Sequence, residues 1–363
     1  MSRIPMLDNI YGQPASHRAL LALQQGKQQQ ATLRACAEKI RKAQARVIFT
    51  GMGGSLFAAL PAVSRLSQQG YPVQAMESAE LLHYGSASLR AADLGVVISR
   101  SGGSIEPVQV AEKMRRAGMT VIGVTNVPGS ELEQLADITL AIGAQADKLI
   151  AVQTYTGTVL TLLLLAEEVL TGESAQLSDA CGAALPELST HIEECLRASD
   201  DWQGLLMGGP LYLLGRGPAL ASVYEGALLL HETAKTAAVG MSSGQFRHGP
   251  AEILSGDFCA VVFGTPPITQ ALDRSLADDL FSVGAKIRWI GPEAGDSRAH
   301  APSLVPWPEI APVLAPLFEI VPLQVAAYRL ALWRGITPGD FRFVSEVTSS
   351  ESGFLASNQG ASA

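Results

Sequence analysis

Short apolar runs bounded by glycine alternate along the chain with longer segments whose apolar residues recur at helical spacing. In the first half, the runs that predict strands are Arg46–Thr50, Leu94–Ser99, Thr120–Thr125 and Ile138–Ile142. In the second half, they are Leu211–Leu214, Cys259–Phe263 and Ile287–Ile290. Because strands joined through helices pair in parallel and are covered on both faces, this pattern predicts an α/β protein.

The same landmarks occur twice along the chain. A glycine turn, Gly51–Gly53, follows the first strand, and Gly215–Gly217 follows its counterpart 164 residues later. Asp93 and Asp257, each just before a later strand of its half, are also 164 residues apart. Two landmarks with one offset predict two copies of one α/β domain.

Helical patterns precede the first copy and separate the two copies. We expect an N-terminal helical segment over residues 1–30, which packs across the other copy or a second subunit. A first domain over 31–170, a helical linker over 171–204, a second domain over 205–345 and a C-terminal tail over 346–363 follow. The 363 residues, 47% of them hydrophobic, are enough to form two buried cores.

Charge and cysteine content argue against several classes of protein. The net charge of −8 disfavours a nucleic-acid partner, which usually calls for a concentrated basic surface. The N-terminus lacks the apolar core of a secretory signal, and the apolar stretch Val159–Ala166 stops at two glutamates. The four cysteines are scattered without the spacing of metal ligands, and we expect buried thiols. A cytoplasmic protein without nucleic-acid or membrane partners is the resulting expectation.

A loop rich in serine and glycine, Ser99–Ser104, comes directly after the strand Leu94–Ile98 and before a predicted helix. Glycine amides, serine hydroxyls and a helix N-terminus suit a phosphate dianion. The alternative is a simple capping turn, with Ser104 as the N-cap residue. The equivalent stretch of the second copy, Phe263–Pro267, has lost most hydroxyls and contains two prolines, so we expect only the first copy to bind phosphate.

The first glycine turn is a second candidate for ligand contact. Gly53 and Ser55 follow a strand and open a helix, without the spacing of a dinucleotide-binding fingerprint. They form either the other side of a sugar-phosphate pocket or merely a tight turn.

A third candidate is an apolar helical segment, Tyr224–Lys235, which carries two carboxylates. Glu225 and Glu232 are seven residues apart and therefore lie on roughly one helix face. In an apolar cleft, desolvation raises a carboxyl pKa towards the range that proton abstraction from carbon requires. His248 lies in a polar loop downstream, and a histidine side chain can donate or accept a proton near pH 7. The alternatives are that His248 is structural and that Glu232 pairs with Lys235 or Arg247.

These segments together resemble the isomerase portion of glucosamine-phosphate synthase and its relatives with two sugar-isomerase (SIS) domains. The segments that carry the resemblance are Ser99–Ser104, Glu225–Glu232, Phe246–Pro250 and Pro322–Tyr328. They occur in the family's order, and the similarity covers the chain from about Arg46 to Thr348. The resemblance implies two tandem SIS domains, each a flavodoxin-like parallel sheet flanked by helices.

The resemblance also implies roles for individual residues and a phosphorylated sugar or amino sugar as substrate. The residues that would hold the phosphate and sugar are Gly53, Ser55, Ser99, Arg100, Ser101, Ser104 and Glu225. Glu232 corresponds to the glutamate that moves a proton between C1 and C2, and His248 to the histidine that opens the ring. In relatives the adjacent subunit contributes that histidine, which implies a homodimer with a shared active site. No metal and no organic cofactor are expected.

Two departures from the family set limits on the reaction. Isomerising synthases carry lysines at the positions of Leu229 and Ser345. We also expect no N-terminal glutaminase domain, so that ammonia from glutamine takes no part in the chemistry. Relatives that cleave phosphorylated Amadori compounds resemble the chain in using a glutamate and a histidine. We therefore expect an aldose–ketose isomerase or an amine-releasing deglycase. The alternative is a non-catalytic sugar-phosphate-binding regulatory protein.

Overall fold

The computed structural model describes residues 4–43, 45–293, 303, 305–343 and 347–353, which form two compact units. The five-stranded unit comprises Ala15–Gly182 and Phe341–Ala363. The four-stranded unit comprises Met1–Pro14 and Ala183–Asp340. This division into compact units does not test the domain limits predicted from the sequence, which stay a prediction.

The five-stranded unit alternates strands and helices from its first strand onwards. Its elements, with α1 beginning in the other unit, are α1 Pro5–Gln24, α2 Lys27–Arg41, β1 Val47–Gly51, α3 Gly54–Phe57, α4 Leu60–Gln68, β2 Val73–Glu77, α5 Ser78–Glu80, β3 Leu94–Ile98, α6 Ile105–Arg116, β4 Thr120–Thr125, α7 Glu131–Leu135, β5 Ile138–Ala141 and α8 Gln153–Thr171. The strand order is β2-β1-β3-β4-β5, with every pairing parallel. This is the flavodoxin-like order, whose ligands bind where the carboxyl ends of β1 and β3 meet.

The four-stranded unit repeats this topology. Its elements are α9 Ala175–Arg197, which begins in the other unit, α10 Gln203–Leu206, β6 Leu211–Gly215, α11 Leu220–Ala234, β7 Ala238–Ser242, α12 Ser243–Phe246, β8 Cys259–Phe263, α13 Gln270–Ser282, β9 Lys286–Ile290, α14 Ala315–Glu319 and α15 Val321–Trp333. The parallel strand order β7-β6-β8-β9 matches the first four strands of the other sheet. The expected fold, two parallel sheets flanked by helices, is confirmed.

The registers of the two sheets refine the spacing of the repeat. Val47 of β1 pairs with Leu94 of β3, and Leu211 of β6 pairs with Cys259 of β8. Val47 and Leu211 are 164 residues apart, as the sequence landmarks are, but Leu94 and Cys259 are 165 apart. Ser99, which follows β3, therefore corresponds to Gly264, which follows β8.

Two strands escaped prediction, β2 and β7, and both lie at a sheet edge. Strand β2 is only partly buried and reads Val-Gln-Ala-Met-Glu, without a continuous apolar run. Strand β7 contains Gly240, where an added Cβ would come within 2.9 Å of the Val223 carbonyl oxygen in α11. An edge strand needs apolar residues on fewer positions than a central strand, so its sequence signal is weaker.

Each unit has its own apolar core. Ile48, Val97 and Met114 belong to the core on one side of the five-stranded sheet, and Phe258 and Trp289 belong to that of the four-stranded sheet. Among the described residues, one stretch, Pro312–Trp333, is long and apolar enough to cross a membrane. Because 89% of its apolar 18-residue window is buried in the structure, it passes that test as the core helix of a globular protein does.

Helices lie before the first strand and between the two sheets. Residues 5–24 and 27–41 form α1 and α2, and the stretch between the sheets forms α9. Gln13 of α1 donates a hydrogen bond to the side-chain oxygen of Gln324 in α15 at 2.8 Å, and both side chains are fully buried. The four cysteines are free and buried, as expected.

Candidate functional site

The serine-rich loop and the first glycine turn leave the same edge of the five-stranded sheet. Strands β1 and β3 are parallel neighbours, so the turn after Gly51 and the loop after Ile98 both begin at the carboxyl edge. The loop then opens helix α6 at Ile105, with Pro107 in the first turn. The fold thus brings the candidate phosphate-binding residues of this unit to one edge.

Serine side chains brace the loop from within. The Gly102 amide donates to Ser99 Oγ at 3.1 Å, and the Gly103 amide donates to Ser101 Oγ at 3.3 Å. The hydroxyl oxygens of the loop's own serines therefore accept the hydrogen bonds of these two glycine amides. A hydroxyl that accepts still has its hydrogen to donate. The serine hydroxyl hydrogens thus become the donors available to an anion.

Ser104 stands at the N-cap of α6, but its side chain makes no capping hydrogen bond. The capping alternative considered for Ser104 is therefore not realised. The amide of Ile105 instead donates to the Thr348 carbonyl oxygen at 3.0 Å. Glu106, in the first turn, is buried. Part of the positive potential at this helix N-terminus is thus already matched by groups of the same unit.

The loop is fastened to the segment that follows β4. The Asn126 amide donates to the Arg100 carbonyl oxygen at 3.0 Å, and Thr125 Oγ1 donates to the same oxygen at 3.3 Å. Gly102 has a φ of +65°, and an added Cβ would lie 2.1 Å from Ser130 Oγ. Sequence analysis missed Thr125, Asn126 and Ser130, although their place after the next strand was a usable signal.

The neighbouring turn after β1 depends on two glycines. Gly53 has a φ of +49°, a conformation that residues with a Cβ rarely adopt. A Cβ on Gly51 would come within 2.8 Å of the Ile98 carbonyl oxygen, at the base of the serine-rich loop. Ser55 lies in the short helix α3 that follows, partly exposed, with its amide bonded to the Met52 carbonyl oxygen. The structure thus contains the tight turn, and Ser55 lies close to the end of β3, where the serine-rich loop begins.

In the four-stranded unit, a side chain occupies the space beside the equivalent loop. At Gly264, the counterpart of Ser99, an added Cβ would lie 1.8 Å from the Trp289 ring. Trp289 is buried, and the Arg274 guanidinium lies over its ring, 3.8 Å from the centroid. Thr265 keeps a hydroxyl but donates it to the Glu319 carboxyl group. The Trp289 ring therefore takes the place beside Gly264, and the Glu319 carboxyl group takes the hydroxyl donor of Thr265.

The second glycine turn is also occupied by the chain's own groups. Gly217 has a φ of +55°, close to that of Gly53, so the backbone turn is conserved between the two units. Between the glycines, Arg216 forms a 2.6 Å ion pair with Asp273, which is fully buried. Burial raises the pKa of Asp273, and the Arg216 guanidinium only partly offsets this. An internal carboxylate thus neutralises the cation of this turn.

The two predicted carboxylates both lie on α11. Glu225 is 2% exposed, whereas Glu232 near the end of the helix is only partly buried. Lys235 ends α11 with a φ of +52°, unusual for a residue with a side chain, and its ammonium group donates to the Glu232 carbonyl oxygen. Leu229, where relatives carry a lysine, is buried. Ser345, the other departure, lies outside the described residues.

His248 lies after α12, which itself follows β7. Its side chain is exposed, and its amide donates to the Gln245 carbonyl oxygen at 3.0 Å. Gly249, the next residue, has a φ of +117°, which lets the chain turn directly after the histidine. Ser242 caps α12 through a hydrogen bond from the Gln245 amide. This short, locally braced segment presents the imidazole to solvent.

A further carboxyl group, Glu319, was missed by sequence analysis. It is fully buried, and it accepts hydrogen bonds from Ser222 Oγ at 2.8 Å and from Thr265 Oγ1. Burial raises its pKa to about 7, although the two hydroxyl groups lower it in part. A lone glutamate in the apolar run Val313–Leu323 was the signal. Among the described residues, no three His, Cys, Asp or Glu side chains are grouped to hold a metal ion.

Comparison with known proteins identifies the family of one part of the chain. Residues 39–167 match the SIS domain family. The isomerizing glutamine–fructose-6-phosphate aminotransferase of Pyrococcus horikoshii is 30% identical over 303 residues, covering 81% of this chain and 50% of that protein. The chain spans about half the length of the curated relatives it matches.

Two solved structures share the fold over almost their whole length. The C-terminal domain of glucosamine-fructose-6-phosphate aminotransferase from Francisella tularensis has a TM-score of 0.79 at 19% identity, covering 92% of this chain and 97% of that one. Glucosamine-6-phosphate deaminase from Thermotoga maritima has a TM-score of 0.75 at 19% identity, covering 94% and 99%. At such identities the likeness concerns the fold alone. Together with the sequence match, it shows that this chain contains a SIS domain, over residues 39–167.

Proposed function

We propose that the protein is a sugar-phosphate enzyme that moves a proton between C1 and C2 of a 6-phosphorylated sugar or amino sugar. The observation that carries the proposal is the serine-rich loop Ser99–Ser104, whose hydroxyl groups and Arg100 stand at the carboxyl edge of a flavodoxin-like sheet. The relatives named for fructose-6-phosphate and glucosamine-6-phosphate support this substrate class.

Phosphate binding is assigned to the five-stranded unit. Ser101 and Ser104 donate from their hydroxyl groups, Ser99 supports the loop from its buried position, and Arg100 supplies positive charge. Each charge-assisted hydrogen bond contributes about 1.5–3 kcal/mol. Gly53 and Ser55 contact the sugar from the neighbouring turn. This anchoring supplies binding energy without taking part in proton transfer.

Acid–base chemistry is assigned to the four-stranded unit. Glu232 removes the proton from the sugar carbon and returns it to the neighbouring carbon, while Glu225 binds the sugar. His248 opens the ring by protonating the ring oxygen and accepting the proton of the anomeric hydroxyl group. As in the resemblance, the homodimer would share the active site between subunits, and the protein would be cytoplasmic with no metal or organic cofactor.

The same proton transfer leads to two outcomes. With an aldose or ketose phosphate, the enediol is reprotonated and gives the isomer. With a 2-amino-2-deoxyaldose phosphate, transfer of the C2 proton to C1 gives a ketimine, and addition of water at C2 releases ammonia and a ketose phosphate. With an Amadori adduct, transfer of a proton from C1 to C2 through the enaminol gives an imine at C1, and addition of water at C1 releases the amine and an aldose phosphate. The leucine at position 229 in place of the relatives' lysine is one reason to test amine release alongside isomerisation.

Turnover assays separate these outcomes. The purified chain is incubated with 6-phosphorylated aldoses, ketoses, 2-amino sugars and Amadori adducts, and both amine release and ketose formation are measured. We expect turnover of at least one class, and its loss in Glu232→Gln. Tight binding of the 6-phosphates without turnover of any would contradict the proposal and favour a sugar-phosphate-binding regulator.

A further inference from the structure

One buried carboxyl group joins two segments at the carboxyl edge of the four-stranded sheet. Glu319, the last residue of α14, accepts a 2.8 Å hydrogen bond from Ser222 Oγ of α11 on one oxygen. On its other oxygen it accepts a hydrogen bond from Thr265 Oγ1, in the loop after β8. All three side chains are buried. The helix that carries Glu225 and Glu232 is thus tied to the end of a central strand.

The bond acts on the side of α11 that carries the glutamates. At about 100° of rotation per residue, Glu225 and Glu232 lie about 20° apart around the helix axis. Ser222 lies about 60° from Glu225 and about 80° from Glu232 by the same geometry. A bond at Ser222 therefore sets the rotation of the face on which both carboxylates lie.

Packing at Gly226 complements this bond. A Cβ there would lie 3.0 Å from Leu323 of α15 and 3.0 Å from Leu213 of β6, so α11 approaches both neighbours closely. Apolar packing fixes the distance between elements but tolerates small rotations, because it has no directional partner. A hydrogen bond is directional and removes that freedom.

A carboxyl group is a costly choice for this position. Its burial opposes ionisation, which is why the pKa of Glu319 is raised to about 7. Apolar side chains of similar volume often give equal or greater stability at buried polar positions. A polar group at such a site is therefore better explained by the arrangement it enforces than by stability.

We propose that Glu319 is a positioning residue, which holds α11 in the rotation at which Glu225 and Glu232 serve the proton transfer and does not touch the substrate itself. This inference rests on the proposed function. Its consequence is a split between kinetic parameters, because the rotation of α11 affects the chemical step while the phosphate remains held by the loop of the other unit.

The test compares four variants. Ser222→Ala and Glu319→Leu remove the bond, whereas Glu319→Gln keeps a group of the same shape that can accept from one hydroxyl and donate to the other. Ser199→Ala is the matched control, because Ser199 is an equally buried serine whose Oγ accepts a 2.8 Å hydrogen bond from Arg329 and donates to the Leu196 carbonyl oxygen, neither of them a residue of α11. Each variant is measured for kcat, KM and amide hydrogen exchange over residues 220–234.

We expect Ser222→Ala and Glu319→Leu to lower kcat about ten- to a hundredfold with KM within about twofold, and to speed exchange in α11. Glu319→Gln should restore kcat to within about threefold of the wild type. The idea is overturned if Ser222→Ala and Ser199→Ala give the same kcat and the same exchange in α11, or if exchange rises while kcat stays unchanged. Should the wild type turn over no substrate, the proposed function fails, and the exchange measurement still decides whether Glu319 holds α11.

Discussion

The two sheets begin from the same backbone plan and end with opposite carboxyl edges. In the five-stranded unit, the loop after β3 has serines whose hydroxyl hydrogens are available, and Gly103 has open space beside it. In the four-stranded unit, the Trp289 ring fills the place beside Gly264, and Asp273 and Glu319 engage the polar groups. The two edges therefore keep the same glycine turns but differ in the groups that lie beside them.

The difference also suggests a division of labour. The open edge retains the features of an anion site, whereas the filled edge supports α11 and its two carboxylates. Binding and chemistry would then depend on different units, so substitutions in each should change different measurable quantities.

The largest expected effect concerns the chemical step. Glu232→Gln removes the base while keeping the shape of the side chain, and kcat should fall about 10²- to 10⁴-fold. KM should change little, because the phosphate is bound elsewhere. Steady-state kinetics on whichever 6-phosphorylated substrate is turned over provides the measurement. Ser101→Ala is the companion variant, for which we expect a raised KM with kcat nearly unchanged; a reversed pattern in the two variants would break the division of labour.

The next effect tests whether the filled edge is structural. Arg216→Met leaves the buried Asp273 without its cation, which should lower the free energy of unfolding by about 3–5 kcal/mol. Urea denaturation measures this, and the double variant Arg216→Met with Asp273→Leu should recover much of the loss. Affinity for a 6-phosphorylated sugar should be unchanged in the folded single variant. A marked loss of that affinity would show that the four-stranded edge also binds the anion.

The pH dependence of stability reports on Glu319. Its folded pKa of about 7 lies above the usual 4.5, so between these values the folded state holds a proton that the unfolded state has released. The contribution is complete below about pH 4.5 and is lost as the pH rises through 7, by up to about 3 kcal/mol. Glu319→Gln should flatten this decline in thermal or urea unfolding. An unchanged pH profile would mean that the carboxyl group is solvated or otherwise paired.

His17, in the five-stranded unit, should respond with the opposite sign. Burial lowers the pKa of His17 to about 4, and its Nε2 lies 3.0 Å from Thr156 Oγ1. Its stabilising contribution is present above about pH 6.5 and is lost as the pH falls towards 4. Comparing the free energy of unfolding of His17→Gln with that of the wild type between pH 4 and 7 isolates the contribution of His17. If His17→Gln showed the same pH dependence of stability as the wild type, this contribution would be ruled out.

The smallest effect compares two adjacent glycines of the phosphate loop. Gly102→Ala places a Cβ at positive φ against Ser130 and should cost about 1–3 kcal/mol and weaken phosphate binding. Gly103→Ala meets no atom within 4 Å and serves as the control, with little change in either quantity. Unfolding and binding titrations on both variants check this. Equal losses in the two would mean that the described loop geometry does not govern binding.

Much of this picture could be predicted from local sequence. The central strands, the serine-rich loop and the repeat were readable because each depends on residues close together in the chain. Strands β2 and β7 were not, because edge strands need no continuous apolar run. The filling of the second loop by Trp289 and the bonds of Glu319 were not readable either, because each joins segments whose meeting depends on the completed sheet.

The loop also shows a limit of sequence patterns in assigning hydrogen-bond donors. The serines and glycines of Ser99–Ser104 predict an anion site, with glycine amides among its donors. In the structure the amides of Gly102 and Gly103 donate to the hydroxyl oxygens of Ser99 and Ser101. Such pairing is set by backbone torsions that sequence patterns do not specify.

Exchange of substrate hydrogen with solvent tests the central claim most directly. The protein is incubated in D₂O with 6-phosphorylated sugars and amino sugars, and deuterium at C1 and C2 is followed by NMR. The account predicts incorporation at C1 or C2 by the wild type and its loss in Glu232→Gln. Binding of these compounds without any incorporation, or incorporation undiminished in Glu232→Gln, would contradict it.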